Sequence, residues 1–253
     1  MTRLPESNAL HVSSRAQLHT VIQRWWRYGV AALGLTTLAC SGEPTRQDLG
    51  VGSAPGAECE LVYREGHGDL YFATHPTDGF HAYVRAALGG STREELHALE
   101  QLCVVVPPAS RERVNEFGGA PRGDAYAFLG IEAGKTFWLL PAASQAGLPW
   151  FGLSTEQVPS TSYLELWMAR VQGPPESQLS SWSTDALGNP SPIFSTALGL
   201  DSAQFAAGRH LHFNWAFSDE GLYRVEFQAY SRRVADDTIE ESAKGLLRFW
   251  VQP

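Results

Sequence analysis

From Arg209 to Phe217 polar and apolar residues alternate. A strand sends successive side chains to opposite faces, so His210, His212 and Asn214 share one face there while Leu211, Phe213, Trp215 and Phe217 share the other. Four large apolar groups form a core face, and two imidazoles and an amide form a polar one. Short apolar runs of the same kind recur along the chain between turn signals. Glu60 to Arg64 and Leu70 to Thr74 flank a turn-like Glu65-Gly66-His67-Gly68-Asp69, and Gly79 to Ala87 supplies a further strand. Ser91-Thr92-Arg93-Glu94 has the form of a capping box and predicts one short helix to about Leu99. Leu102 to Val106 reads as a buried strand stopped by Pro107-Pro108, and the charged, glycine-bearing Arg111 to Gly123 reads as a surface loop.

Farther along, Tyr126 to Leu129 and Thr136 to Leu140 are predicted strands around a turn from Ile131 to Gly134. Ser162 to Val171 is the longest apolar run and reads as a central strand. Leu179 to Ser183 and Pro192 to Thr196 pair across a turn, and Gly245 to Val251 closes the series. Asp219-Glu220-Gly221-Leu222-Tyr223 resembles the tyrosine corner of immunoglobulin-like sandwiches, with Val225 where a cysteine would be expected. These elements predict an all-β fold, an immunoglobulin-like antiparallel β-sandwich with one short helix, in a single domain over residues 58–253.

The N-terminal part reads differently. Arg24 and Arg27 precede an apolar run from Tyr28 to Ala39 that is too short to span a bilayer, so residues 1–39 are expected to be an export signal of lipoprotein type. Ala39 stands directly before Cys40, which becomes the expected lipidation site. An ordinary cysteine beside a plain secretory cleavage site is the alternative. Residues 40–57, rich in Gly, Pro and Ser, read as a flexible tether. Lipidation of Cys40 leaves Cys59 and Cys103 as an even pair, which export permits to form a disulfide; two separate thiols are the other possibility.

Charge narrows the partners. The whole chain carries a net −8; residues 1–39 hold four arginines and one glutamate, so the remainder has 15 basic against 26 acidic residues, or −11. An acidic surface of this kind argues against nucleic acid, which needs clustered Lys and Arg. No phosphate-binding loop, dinucleotide fingerprint, zinc-protease helix or nucleophile elbow is present, and no carboxylate pair stands out as glycosidic. No catalytic residue is assigned, and the chain is not expected to be an enzyme.

The candidate site is a set of four residues. His210 and His212, about 6.6 Å apart at Cα on one face of a strand, can both tilt onto one ion, and His67 and Asp69 repeat the same spacing. Imidazole and carboxylate ligands suit zinc or another transition metal, with Asn214 placed to orient a ligand imidazole by hydrogen bonding. Hydrogen bonding within a polar sheet face is the competing reading of the histidines.

His210-Leu211-His212-Phe213-Asn214-Trp215-Ala216-Phe217, followed by Gly221-Leu222-Tyr223, resembles the signature of the bacterial surface-anchored domain family called choice-of-anchor M. Gly66-His67-Gly68-Asp69, Phe128-Leu129-Gly130, Trp138-Leu139-Leu140-Pro141, Trp150-Phe151-Gly152-Leu153-Ser154-Thr155 and Gly173-Pro174 resemble its other landmarks in order. The resemblance implies a cell-envelope protein without catalytic activity, some of whose relatives are encoded beside metal-type ABC transporters. No sorting signal follows Trp250-Val251-Gln252-Pro253, so a lipid on Cys40 would take the place of that anchor.

Together these readings predict an exported, membrane-anchored lipoprotein at the outer membrane or cell surface that binds metal or serves a metal-uptake transporter. The alternative is a glycan- or protein-binding adhesion module, in which Trp138, Trp150, Trp167, Trp182 or Trp215 would form an exposed platform.

Overall fold

The computed structural model describes residues 58–75, 79–114 and 123–253. The predicted export signal, Cys40 and the tether lie outside the described residues. Sixteen strands follow one another within them, beginning with β1 (Leu61–Tyr63), β2 (Gly66–His75), β3 (Gly79–Ala86), β4 (Glu95–Ala98), β5 (Leu102–Val106) and β6 (Arg111–Arg113). Next come β7 (Thr136–Leu140), β8 (Pro149–Ser154), β9 (Ser162–Gln172), β10 (Leu179–Thr184) and β11 (Pro190–Ser195). The series ends with β12 (Ser202–Ala206), β13 (His210–His212), β14 (Asn214–Phe217), β15 (Gly221–Arg233) and β16 (Ile239–Val251).

The protein is all-β, as expected, with its strands in three mostly antiparallel sheets consistent with a sandwich. Their orders are β1-β5-β16-β15-β9-β12, β11-β10-β14-β7-β6 and β13-β8-β2-β3-β4. Three pairings are parallel: β1 with β5, β5 with β16, and β2 with β8. Strand β5, Leu-Cys-Val-Val-Val, is flanked on both sides and buried along its whole length, which is why it reads as an unbroken apolar run. Strand β9 instead alternates, with Leu164, Leu166 and Met168 buried and Tyr163, Glu165 and Trp167 half-buried, so only one of its faces enters the core.

Five local expectations are corrected. The predicted helix from Ser91 does not form. The Ser91 hydroxyl accepts the Arg93 N–H at 3.0 Å in a tight turn, Glu94 turns toward β2 and β3, and the chain enters β4 before a short 3-10 turn at Leu99–Gln101. Ser/Thr hydroxyls bond the backbone two residues on as readily as they cap helices, so the local spacing fits both outcomes. Tyr126 to Leu129 is not a strand but part of 3-10 turns over Gly123–Leu129, and Arg111–Arg113, read as loop, is β6. Gly66 to Asp69 is the beginning of β2 rather than a turn.

The fifth correction concerns the chain around Phe213. The predicted continuous strand divides there: β13 pairs with β8 in one sheet, and β14 pairs with β10 and β7 in another. The two-residue alternation survives the change of sheet, so Phe213, Trp215 and Phe217 stay in the core. Trp215 and Phe217 both pack on Phe249 of β16, with ring centroids 5.5 and 5.0 Å away. Each such fully buried side chain contributes roughly 1.5–3 kcal/mol of hydrophobic stabilisation.

Two predicted ties are present. Cys59 and Cys103 form a disulfide with Cα atoms 5.5 Å apart, joining the segment before β1 to β5. Tyr223 closes a tyrosine corner: its buried phenol donates to the Asp219 carbonyl and accepts the Asp219 N–H, both at 3.1 Å. Burial pushes the phenol pKa up, which keeps it a donor.

Candidate metal centre

The third sheet carries the site because its two faces differ in chemistry. Leu70 and Phe72 of β2, Phe151 and Leu153 of β8, and Val84 of β3 are buried in the core. The intervening positions face the other way. Strand β8 lies between β2 and β13 and sets the register of both. Trp150 is opposite His67, Gly152 is opposite Asp69 on one side and His212 on the other, and Ser154 is opposite His210. His67 and Asp69 thereby meet His210 and His212 across β8.

All four predicted ligands converge, with one ligand atom from each lying within 4.8 Å of every other. His210 Nε2 is 3.0 Å from His67 Nε2, 3.2 Å from His212 Nε2 and 3.0 Å from Asp69 Oδ1. His212 Nε2 is 3.9 Å from Asp69 Oδ1, and His67 Nε2 is 3.6 Å from Asp69 Oδ2. Four ligands held about 2.0–2.1 Å from a tetrahedral ion stand about 3.3–3.4 Å from one another, close to the middle of these separations. Hydrogen bonding alone does not account for the cluster. An imidazole Nε2 offers one proton or one lone pair, so His210 Nε2 can satisfy one of its three neighbours and leaves lone pairs facing it from the others. The group is one that could hold a metal ion.

Burial is graded across the cluster. Asp69 is fully buried, the His212 side chain is 11% exposed, and that of His210 is 35% exposed, so the ligand atoms face outward from an anchored carboxylate. Burial lowers the His212 pKa to about 4, with His67 and His210 adding to the effect and the Asp69 charge opposing it. The ring is therefore neutral near pH 7, the state in which imidazole ligates metal.

Several supporting residues were not anticipated. Glu94 Oε1 is 2.5 Å from His67 Nδ1, leaving Nε2 to face the cluster, an arrangement that fixes ring orientation in metal sites. Arg85, opposite Asp69 on β3, donates from Nη2 to Asp69 Oδ2 at 2.9 Å. Its Nη1 is 3.0 Å from Glu156 Oε2, and its guanidinium lies 4.6 Å from the centre of the Tyr71 ring. Burial disfavours the Arg85 charge, but bonding to Asp69 and Glu156 more than offsets it and raises the pKa. The Ser154 hydroxyl and Arg85 together hold Glu156 below its ordinary carboxylate range.

Trp150 stacks on His212 with centroids 4.0 Å apart and presents its edge to His67 at 5.1 Å. Its indole N–H donates to the Ala142 carbonyl at 2.7 Å. Asn214, expected to orient an imidazole, does something else: its Oδ1 accepts the Ala142 N–H at 3.0 Å, and its Nδ2 donates to the Trp182 carbonyl at 3.4 Å. The change of sheet at Phe213 explains the difference, because it carries Asn214 away from the face that His210 and His212 share. Asn214 is linked to the site through Ala142, whose carbonyl accepts from Trp150. Of the other candidate platform residues, Trp138, Trp182 and Trp215 are buried in the core.

Gly152 makes room for the cluster, and Gly68 makes room for the Tyr63 ring. A Cβ on Gly152 would stand 2.5 Å from the Leu211 carbonyl oxygen, 2.7 Å from His212 Nδ1 and 2.8 Å from Asp69 Oδ1. A Cβ on Gly68, between the two β2 ligands, would meet the Tyr63 ring at 2.8 Å. The spacing of His67 and Asp69 around a glycine is thus a packing requirement of the strand. Comparison of the chain with protein-family models, with curated proteins and with solved structures gave no match.

Proposed function

We propose that this protein binds one divalent transition-metal ion, zinc or a close equivalent, through His67 Nε2, Asp69 Oδ1, His210 Nε2 and His212 Nε2. The observation that carries the reading is the convergence of three imidazole nitrogens and a buried carboxylate oxygen at spacings that hydrogen bonds alone leave unsatisfied. Neutral imidazole and carboxylate suit zinc-like ions, and the absence of thiolate from the set disfavours copper(I). Four protein ligands complete a tetrahedral shell and leave no position for a substrate, so the site holds an ion and does no chemistry on one.

The metal-binding domain belongs, in this proposal, to an exported envelope lipoprotein held to its membrane by a lipid on Cys40. The outward face and the partial exposure of His210 suit exchange of the ion with a transporter or another carrier. The resemblance to choice-of-anchor M domains points the same way. Calorimetric titration of metal-free protein with zinc tests the binding: about one equivalent is expected for the wild type, and none for His210→Ala combined with His212→Ala in a variant whose circular dichroism is unchanged. Equal uptake by the double variant would refute the assignment.

A further inference from the structure

Asp69 has two oxygens and the structure gives them different surroundings. Oδ1 faces His210 Nε2 at 3.0 Å and His212 Nε2 at 3.9 Å, while Oδ2 accepts from Arg85 Nη2 at 2.9 Å and stands 3.6 Å from His67 Nε2. Asp69 is fully buried, so both oxygens are restricted to what the protein or a bound ion supplies. Arg85 is itself pinned: Nη1 is 3.0 Å from Glu156 Oε2, Nε is 3.6 Å from Glu94 Oε2, and the plane lies over Tyr71. Glu94 in turn holds His67. The guanidinium therefore connects the carboxylate ligand to the carboxylate that orients an imidazole ligand.

Resting on the metal-binding reading above, we propose that Arg85 is a positioning residue that sets ion selectivity by holding Asp69 to a single ligating oxygen. With Oδ2 taken up by Arg85, Asp69 supplies Oδ1 alone and the protein offers four donor atoms, the number a tetrahedral zinc ion takes. Manganese(II) and calcium favour more oxygen donors, and calcium commonly takes both oxygens of a carboxylate. Arg85 denies them the second oxygen. It also sets a guanidinium charge beside Asp69, which limits the pull of the carboxylate on large, hard cations. Arginine suits this role because its planar fork holds two carboxylates in fixed directions, whereas lysine presents a point charge.

Arg85→Met keeps the aliphatic stem over Tyr71 and releases Oδ2. In competition titrations the preference for zinc over manganese(II) should fall in this variant by about 10-fold or more, the size of the effect on affinity when a group that holds a ligand is removed. The cobalt(II)-loaded wild type should show the intense visible bands of four-coordinate cobalt, and the cobalt-loaded variant the weak bands of higher coordination. Arg85→Lys, which retains charge without the fork, should fall between the two, and it provides the same readouts if Arg85→Met does not fold. An unchanged zinc-to-manganese ratio and cobalt spectrum in the folded variants would overturn the proposal, as would an equal loss of affinity for both ions. Failure of the wild type to bind zinc at all would instead overturn the metal-binding reading on which the proposal rests.

Discussion

His67 Nε2 and His210 Nε2 lie 3.0 Å apart although 143 residues separate them in the chain. Strand β8 brings them together, since it pairs in parallel with the strand bearing His67 and antiparallel with the strand bearing His210. Two imidazole nitrogens at this distance share at most one proton, and here a third imidazole and a carboxylate crowd the same point. A central cation would take each of these groups as a ligand.

Gly152 has no room for a side chain beside the ligands. Gly152→Ala would drive a methyl group against the Leu211 carbonyl, which as backbone cannot swing aside, and against His212 and Asp69. Overpacking of this kind costs about 1–3 kcal/mol. Chemical denaturation of the metal-free variant should show that loss, and zinc titration should show weakened binding; wild-type values in both would contradict the close approach described.

The metal-free protein should lose stability in mild acid on account of His212. Its folded pKa is about 4 against an ordinary value of 6.5. Between those values the unfolded chain binds a proton that the folded protein refuses, so stability falls as the pH drops from 6.5 and levels off below about 4. The full effect is on the order of 3 kcal/mol. Urea denaturation in the presence of chelator across this range should show a slope in the wild type that is reduced in His212→Gln. Parallel profiles for the two proteins would count against a buried, neutral His212.

The Cys59–Cys103 disulfide closes a 44-residue separation and ties the start of the domain to β5. Cys59→Ser with Cys103→Ser should lower stability by roughly 2–4 kcal/mol. Mass spectrometry of the non-reduced protein should find the two cysteines linked, and free alkylation of both would exclude the bridge.

Anchoring gives a separate expectation. With a lipid on Cys40 the mature protein should fractionate with membranes, and Cys40→Ser should release it or leave the precursor uncleaved. Wild-type protein that is wholly soluble and migrates like Cys40→Ser would exclude the anchor.

Much of the site could be read in the sequence because strand periodicity is local. The spacing of His210 with His212 and of His67 with Asp69 is enough to place each pair on one face. What joins the pairs is the register of β8, a long-range relation with no local signal, and the same holds for Arg85, which meets Asp69 only through the β2 to β3 pairing. Glu94 was obscured by a competing local reading: its spacing from Ser91 fits a helix cap, while its actual partners are His67 and Arg85. The glycines around His67 mimic a turn, yet Gly68 is small because the Tyr63 ring lies against it. Asn214 was placed with the histidines by periodicity that does continue through Phe213, but into a different sheet.

X-ray absorption at the zinc edge of the loaded wild-type protein reads the ligands of the ion directly. The loaded wild type should show four nitrogen or oxygen donors at about 2.0–2.1 Å with the outer-shell scattering of three imidazoles, and His210→Ala with His212→Ala, which should retain no zinc, should show no such site. A zinc ion surrounded by water-like oxygen donors without imidazole scattering, or a shell identical in the double variant, would contradict the four-ligand site.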